Sequence, residues 1–258
     1  MGVLALNRLS NPFDNRTMSL RDSFLADLWQ FLRGDRAVAE FEQWIYAHSN
    51  ELESRIGKQL ALEVLASDFR SSAAVAGVKQ LLREYAERES ELECRCITLP
   101  TLAVIDMGEE SEPVLETIEE RRSRGEPFWW LWCGECTRCG QWWLVGQEER
   151  QNDVFCLRRL NGDDVTGLVE TNVWPPDFDS YEALLRLGFD AGKRVQFADP
   201  EEANSLRWTI ADLAKARPGI RVSELAELLN LEIKTARVLA RRAERDDGAV
   251  IEFDQDAV

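Results

Sequence analysis

Cys133, Cys136 and Cys139 form a Cys-x-x-Cys-x-x-Cys run closed by Gly140, with Trp129, Trp130 and Trp132 before it and Trp142 and Trp143 after it. Few local folds accommodate that pattern. The aromatic flanks read as strands. Between them, Cys136-Thr137-Arg138-Cys139-Gly140 has the form of a zinc knuckle, a tight turn that aims two thiolates at one tetrahedral metal. A second pair must complete the shell, and Cys94 with Cys96, about forty residues upstream, is the preferred one. A Cys-x-Cys on a regular strand points its side chains to opposite faces, so this set requires a bend at 94–96. Cys133 is an alternative ligand. The competing reading makes several of these reduced, buried thiols, and Cys156, within the apolar alternation of a strand, is assigned to that class.

The hydrophobic period changes twice along the chain, which predicts an α+β fold. Residues 1–90 read as a helical module. Leu20, Phe24, Leu25, Leu28, Trp29 and Leu32 recur at helical spacing and stop at Gly34, and Val38, Phe41, Trp44 and Ile45 continue the pattern. Asn50 caps a third helix through Leu65, and Ser71 or Ser72 caps a fourth, so four helices are expected with the aromatic stripe as their core. Residues 91–198 read as an α+β, zinc-ribbon-like module. Its small antiparallel sheet comes from Thr101–Met107, Phe128–Trp132, Trp142–Gln147 and Val154–Leu160, with helices at Pro113–Arg124 and Ser180–Gly188. Residues 199–258 read as helical again. Asp199-Pro200-Glu201-Glu202 opens a helix reaching Arg217, Ser223 caps a short one, Asn230-Leu231 turns, and Lys234–Arg245 is followed by a strand at Ala249–Phe253. That order predicts a winged helix-turn-helix-like unit.

Charge narrows the function. The 258 residues carry a formal charge of −16, and residues 91–200, with 11 basic and 22 acidic side chains, supply −11 of it. A surplus of this sign opposes binding to nucleic acid phosphates and to anionic membranes. Val3 to Leu6 is too short an apolar run, with no basic start, for a secretory signal, and no stretch reaches the roughly 20 apolar residues of a transmembrane helix. The expectation is a cytoplasmic protein without a membrane partner. Enzymatic signatures are missing. The chain has one histidine, His48, and contains no Gly-rich phosphate loop, metalloprotease helix or Gly-x-Ser-x-Gly elbow. The carboxylates from Asp106 to Glu120 lack the spacing of a calcium loop. The chain therefore reads as a non-enzyme.

Two further stretches resemble a known family. One is Phe41-Glu42-Gln43-Trp44-Ile45-Tyr46, Glu51-Leu52-Glu53, Gly57, Leu60-Ala61-Leu62-Glu63, Ser67-Asp68-Phe69 and Val78-Lys79-Gln80-Leu81-Leu82. The other is Cys136 to Arg150 with Phe155-Cys156-Leu157-Arg158-Arg159-Leu160. Over roughly the first two thirds of the chain these resemble bacterial immunity proteins of polymorphic-toxin, contact-dependent or type VI secretion systems. The resemblance implies a non-enzymatic cytosolic protein that binds and silences one antibacterial toxin. A toxin that cuts nucleic acid needs a basic cleft, and an acidic inhibitor can fill it, steered by charge and anchored by aromatics. Asp106, Glu109, Glu110, Glu112 and Glu116 are the expected steering residues, and Trp129 and Trp142 the expected anchors. The alternative is a zinc-containing winged-helix transcriptional regulator reading DNA with Lys234, Arg237, Arg241, Arg242 and Arg245.

Overall fold

The computed structural model describes residues 22–90, 92–108, 111–126, 129–193 and 199–254. They fall into two compact units, one made of residues up to Thr101 together with Glu135–Gln141, the other of Leu102–Gly134 and the chain from Trp142 onward.

Among the described residues the first unit has five α-helices: α1 (Ser23–Leu32), α2 (Val38–Ala47), α3 (Ser49–Ile56), α4 (Lys58–Leu65) and α5 (Ser72–Glu89). Four were expected from the sequence. The third divides at Gly57, whose φ of 86° cannot continue a right-handed helix. The Asp22 carboxylate caps α1 by accepting from the Phe24 and Leu25 amides, and the Ser71 hydroxyl caps α5 by accepting from Ala74. The aromatic stripe is core, as its spacing predicts. Phe31 stacks on Phe41 with centroids 3.6 Å apart, and the buried Trp29 indole donates to Ser90 Oγ at 3.0 Å.

The second unit is built on a five-stranded antiparallel sheet of order β1-β5-β4-β3-β2. Its elements, in chain order, are β1 (Leu102–Asp106), α6 (Glu112–Leu115), β2 (Ile118–Glu126), β3 (Trp129–Cys136), β4 (Trp142–Glu148), β5 (Val154–Arg159), α7 (Gly162–Thr166) and α8 (Tyr181–Asp190). The helix expected over Pro113–Arg124 is confined to the single turn of α6. From Glu119 to Arg124 no apolar side chain recurs at helical spacing, so nothing holds a helix there, and the segment becomes the edge strand beside β3. Val145 lies opposite Leu157 and Gly146 opposite Cys156 in the β4–β5 register. On β4, Leu144, Gly146 and Glu148 share one face and Trp143 and Val145 the other. Gly146 lets α8 approach closely, because a Cβ there would sit 2.4 Å from Leu184 Cδ2.

The remaining elements are α9 (Asn204–Ala216), β6 (Ile220–Arg221), α10 (Val222–Leu228), α11 (Ile233–Asp247) and β7 (Ile251–Glu252). The helix expected from Asp199 starts later, since Pro200–Glu202 forms a separate 3₁₀ turn. Capping of α10 also differs. Glu224 reaches back to the Arg221 amide, while the Ser223 hydroxyl bonds Asp254. One hydrophobic cluster runs from Leu131, Leu144 and Cys156 through Leu184 to Ile210, Leu225 and Leu239, so the sheet and the last three helices share a core. A wing needs two strands after the third helix. Among the described residues only β7 follows α11, and it pairs in parallel with β6. No helix of the described residues is long and apolar enough to cross a membrane.

Candidate metal centre

The end of β3 delivers Cys136 into a turn closed by two backbone hydrogen bonds, Cys136 N to Gln141 O and Gly140 N to Cys136 O, each 2.8 Å. Gly140 takes φ 72°, a left-handed conformation that lets the chain reverse and brings Cys139 back beside Cys136. The other pair lies after α5, where the backbone bends and then forms a 3₁₀ turn over Cys96–Thr98. Arg95 is in the αR region rather than extended, so Cys94 and Cys96 do not diverge as they would on a strand.

The sulfurs of Cys94, Cys96, Cys136 and Cys139 all lie within 4.8 Å of one another, three of the residues buried and Cys139 half-buried. Sulfurs around one zinc at about 2.3 Å stand about 3.8 Å apart in a tetrahedron, so small side-chain movements suffice to close on an ion. The donor chemistry fits as well. Hydrogen bonds from the Cys139 and Cys96 thiols hold Cys94 far below the ordinary thiol range, and donating to Cys94 pushes Cys139 above it. Thiol ligands bind a metal as thiolates, so a cation at the centre of four clustered sulfurs would favour their ionised forms. Four soft donors in this geometry select zinc over the hard divalent ions.

Cys133, the alternative ligand, is outside this group. It lies in the core of the second unit, where burial pushes its thiol up, and burial likewise pushes Cys156 up to about 12. Cys156 is therefore the inert core thiol that its strand position implies.

The expected partner-binding residues are more dispersed. Asp106 pairs with Lys193 while half of its side chain stays exposed. Glu112 and Glu116 are exposed, and Glu109 and Glu110 lie outside the described residues. Trp129 is corrected. It alternates inward with Leu131 and Cys133 and is only 4% exposed, so its ring is core and cannot anchor a partner. Trp142 is half-buried against the same core. The exposed indole on β3 is Trp130, at 42%. Strict period-two counting from Leu131 would have separated it from Trp129.

Sequence reasoning missed a buried polar group. Glu148 is fully buried yet accepts from the Arg150, Gln151 and Asn152 amides at 3.0, 2.9 and 2.7 Å and from the Tyr181 hydroxyl at 3.0 Å. Burial raises its pKa, and these donors pull it part of the way back. It fastens the β4–β5 loop and has no open approach for a reactant. No protein family, no curated protein and no solved structure matches the chain.

Proposed function

We propose that this chain is a non-enzymatic immunity protein that binds and neutralises an antibacterial toxin in the cytosol, with a structural zinc held by Cys94, Cys96, Cys136 and Cys139. The observation that carries the non-enzymatic, zinc-holding part of the reading is the all-cysteine ligand set. Four thiolates fill a tetrahedral shell and leave no position for water or substrate, so zinc bound there would contribute folding energy rather than Lewis-acid chemistry. The one imidazole is also withdrawn from chemistry. His48 Nδ1 lies 2.8 Å from the Trp44 carbonyl of its own turn, and its ring stacks on Trp44.

Binding is supported by surface character. Glu112 and Glu116 are exposed around α6, Glu120 is exposed on β2, and the exposed Trp130 stands on the adjoining β3. Carboxylates beside an indole suit a basic protein, such as a nuclease effector, which they would steer and the ring would anchor. The order α9, α10, α11 favours the second reading, a DNA-binding regulator, but several cations of α11 already have partners within the chain. Arg242 bonds the Glu201 carbonyl, Arg245 pairs with Asp246, and Arg241 covers Phe253.

Co-expression with candidate toxins, scored by cell survival, tests the proposal. Rescue from one toxin together with a stable complex is expected. Salt-dependent binding to duplex DNA with no rescue from any toxin would replace it with the regulator reading.

A further inference from the structure

The end of α8 and the turn joining α10 to α11 line an open, shallow cleft of about 490 Å³, with Phe189, Ala226, Leu231, Ile233, Glu227 and Glu232 among its walls. Its shape follows from a helix stop. Asn230 takes φ 51°, the Leu231 amide bonds the Ala226 carbonyl at 2.8 Å, and the Asn230 amide bonds the Glu227 carbonyl at 3.3 Å. This is a Schellman ending, which swings Leu231 back against the end of α10 and fixes the cleft wall. Ile233 then begins α11 with 47% of its surface exposed. Among the described residues neither the Glu227 nor the Glu232 carboxylate has a hydrogen bond or ion pair.

A cleft of this size is large enough for one or two apolar side chains of a ligand. The chemistry around it selects among ligands. In a helix-turn-helix protein, the first turn of the third helix faces the duplex and is lined with donors and cations. Here Lys234 is exposed in that turn but does not line the cleft, and the cleft itself is lined by the exposed Ile233 with the unpaired carboxylates of Glu227 and Glu232, which would repel phosphates and leave apolar area uncovered. The complement is a segment that presents apolar side chains flanked by lysine or arginine.

We propose that this cleft is a docking site for a basic, apolar-anchored segment of the protein partner, with Leu231, Phe189 and Ile233 holding the apolar anchor and Glu227 and Glu232 pairing with the flanking cations. The inference rests on the protein-binding reading above and assigns it a location, distinct from the surface around Glu112 and Trp130.

The test measures binding of two synthetic amphipathic helical peptides, one of Leu and Lys and one of Leu and Glu, to the full chain by calorimetry at low ionic strength. The wild type should bind the Leu/Lys peptide and not its Leu/Glu counterpart. Glu227→Lys with Glu232→Lys should weaken Leu/Lys binding at least about tenfold and admit the Leu/Glu peptide. Ile233→Ser should weaken both modes. The control, Glu53→Lys with Glu63→Lys, makes the same charge change at exposed positions on α3 and α4. It should alter affinity less than about twofold, because neither position lines the cleft. Equal losses in the two double variants would show diffuse attraction to an acidic protein and overturn the proposal. So would tighter binding of a random DNA duplex, or self-association that the cleft variants abolish. Cleft-mapped peptide binding without any toxin rescue would refute the immunity function alone. Rescue by the cleft variants at wild-type level would refute the docking site alone.

Discussion

Removing the knuckle pair, Cys136→Ser with Cys139→Ser, should destabilise the first unit by an amount that the chain path sets. Through a metal, Cys94 and Cys96 tie to residues about forty positions later. Treating the metal as a cross-link over a loop of that length, the entropy removed from the unfolded chain corresponds to about 4 kcal/mol. Domains of this size have about 5–15 kcal/mol in total, so the loss is a large fraction. For roughly 100 residues each kcal/mol moves the melting temperature by about 4–8 °C, which puts the expected fall at about 15–30 °C. The assay is thermal unfolding followed by circular dichroism, with elemental analysis of the same samples. Wild-type protein should contain one zinc per chain and melt lower after equilibration with a strong chelator. The double variant should lack zinc and melt at the chelated temperature. Cys133→Ser and Cys156→Ala remove thiols outside the group and should keep the zinc. Wild-type protein free of zinc, with a melting curve that neither chelator nor the double substitution moves, would refute the cross-link argument.

Gly146→Ala places a methyl 2.4 Å from Leu184 Cδ2 and should cost about 1–3 kcal/mol by urea unfolding. A midpoint unchanged from wild type would mean α8 is free to move away from the sheet. Glu148→Ala leaves three backbone amides and the Tyr181 hydroxyl without their acceptor. At about 1 kcal/mol or more for each buried orphan, it should cost at least about 3 kcal/mol with no change in denaturant slope. Cys156 supplies an alkaline prediction. Its thiol titrates at about 12 in the fold against an ordinary value of 9.0, so the unfolded chain releases that proton first. Its contribution is complete below pH 9 and is lost as pH rises toward 12, with a slope of up to about 1.4 kcal/mol per pH unit. Cys156→Ala should flatten the stability profile above pH 9, and an unchanged slope would show that the thiol ionises in place.

The features legible in the sequence are those fixed by short-range chemistry. Gly140 after Cys139 requires a left-handed reversal, and that reversal suffices to bring the Cys136 and Cys139 sulfurs together. The bend at Cys94 and Cys96 is implied by the cluster itself, since an extended Cys-x-Cys cannot give both sulfurs to one ion. Helix caps at Asp22 and Ser71 and the aromatic core around Trp29 follow from residue type and period in the same way. The failures sit where partners distant in sequence decide. Thr117 to Arg124 is as compatible with a charged helix as with a strand when read alone, and the open edge of β3 settles the choice. Trp129 and Trp130 are chemically identical neighbours, separated only by which face of β3 joins the core of the second unit. Glu148 looks like any acidic residue near a turn until its neighbours in the β4–β5 loop and Tyr181 surround it. The same logic bears on the charge of −16. Summed over a sequence it marks a broad acidic surface, yet Asp106 has Lys193 as a partner and Glu148 is enclosed. The carboxylates available to a partner are the ones without an internal donor, and Glu227 and Glu232 satisfy that condition beside exposed apolar area. Location beside an apolar cleft, more than the total, determines where an acidic protein can hold a basic one.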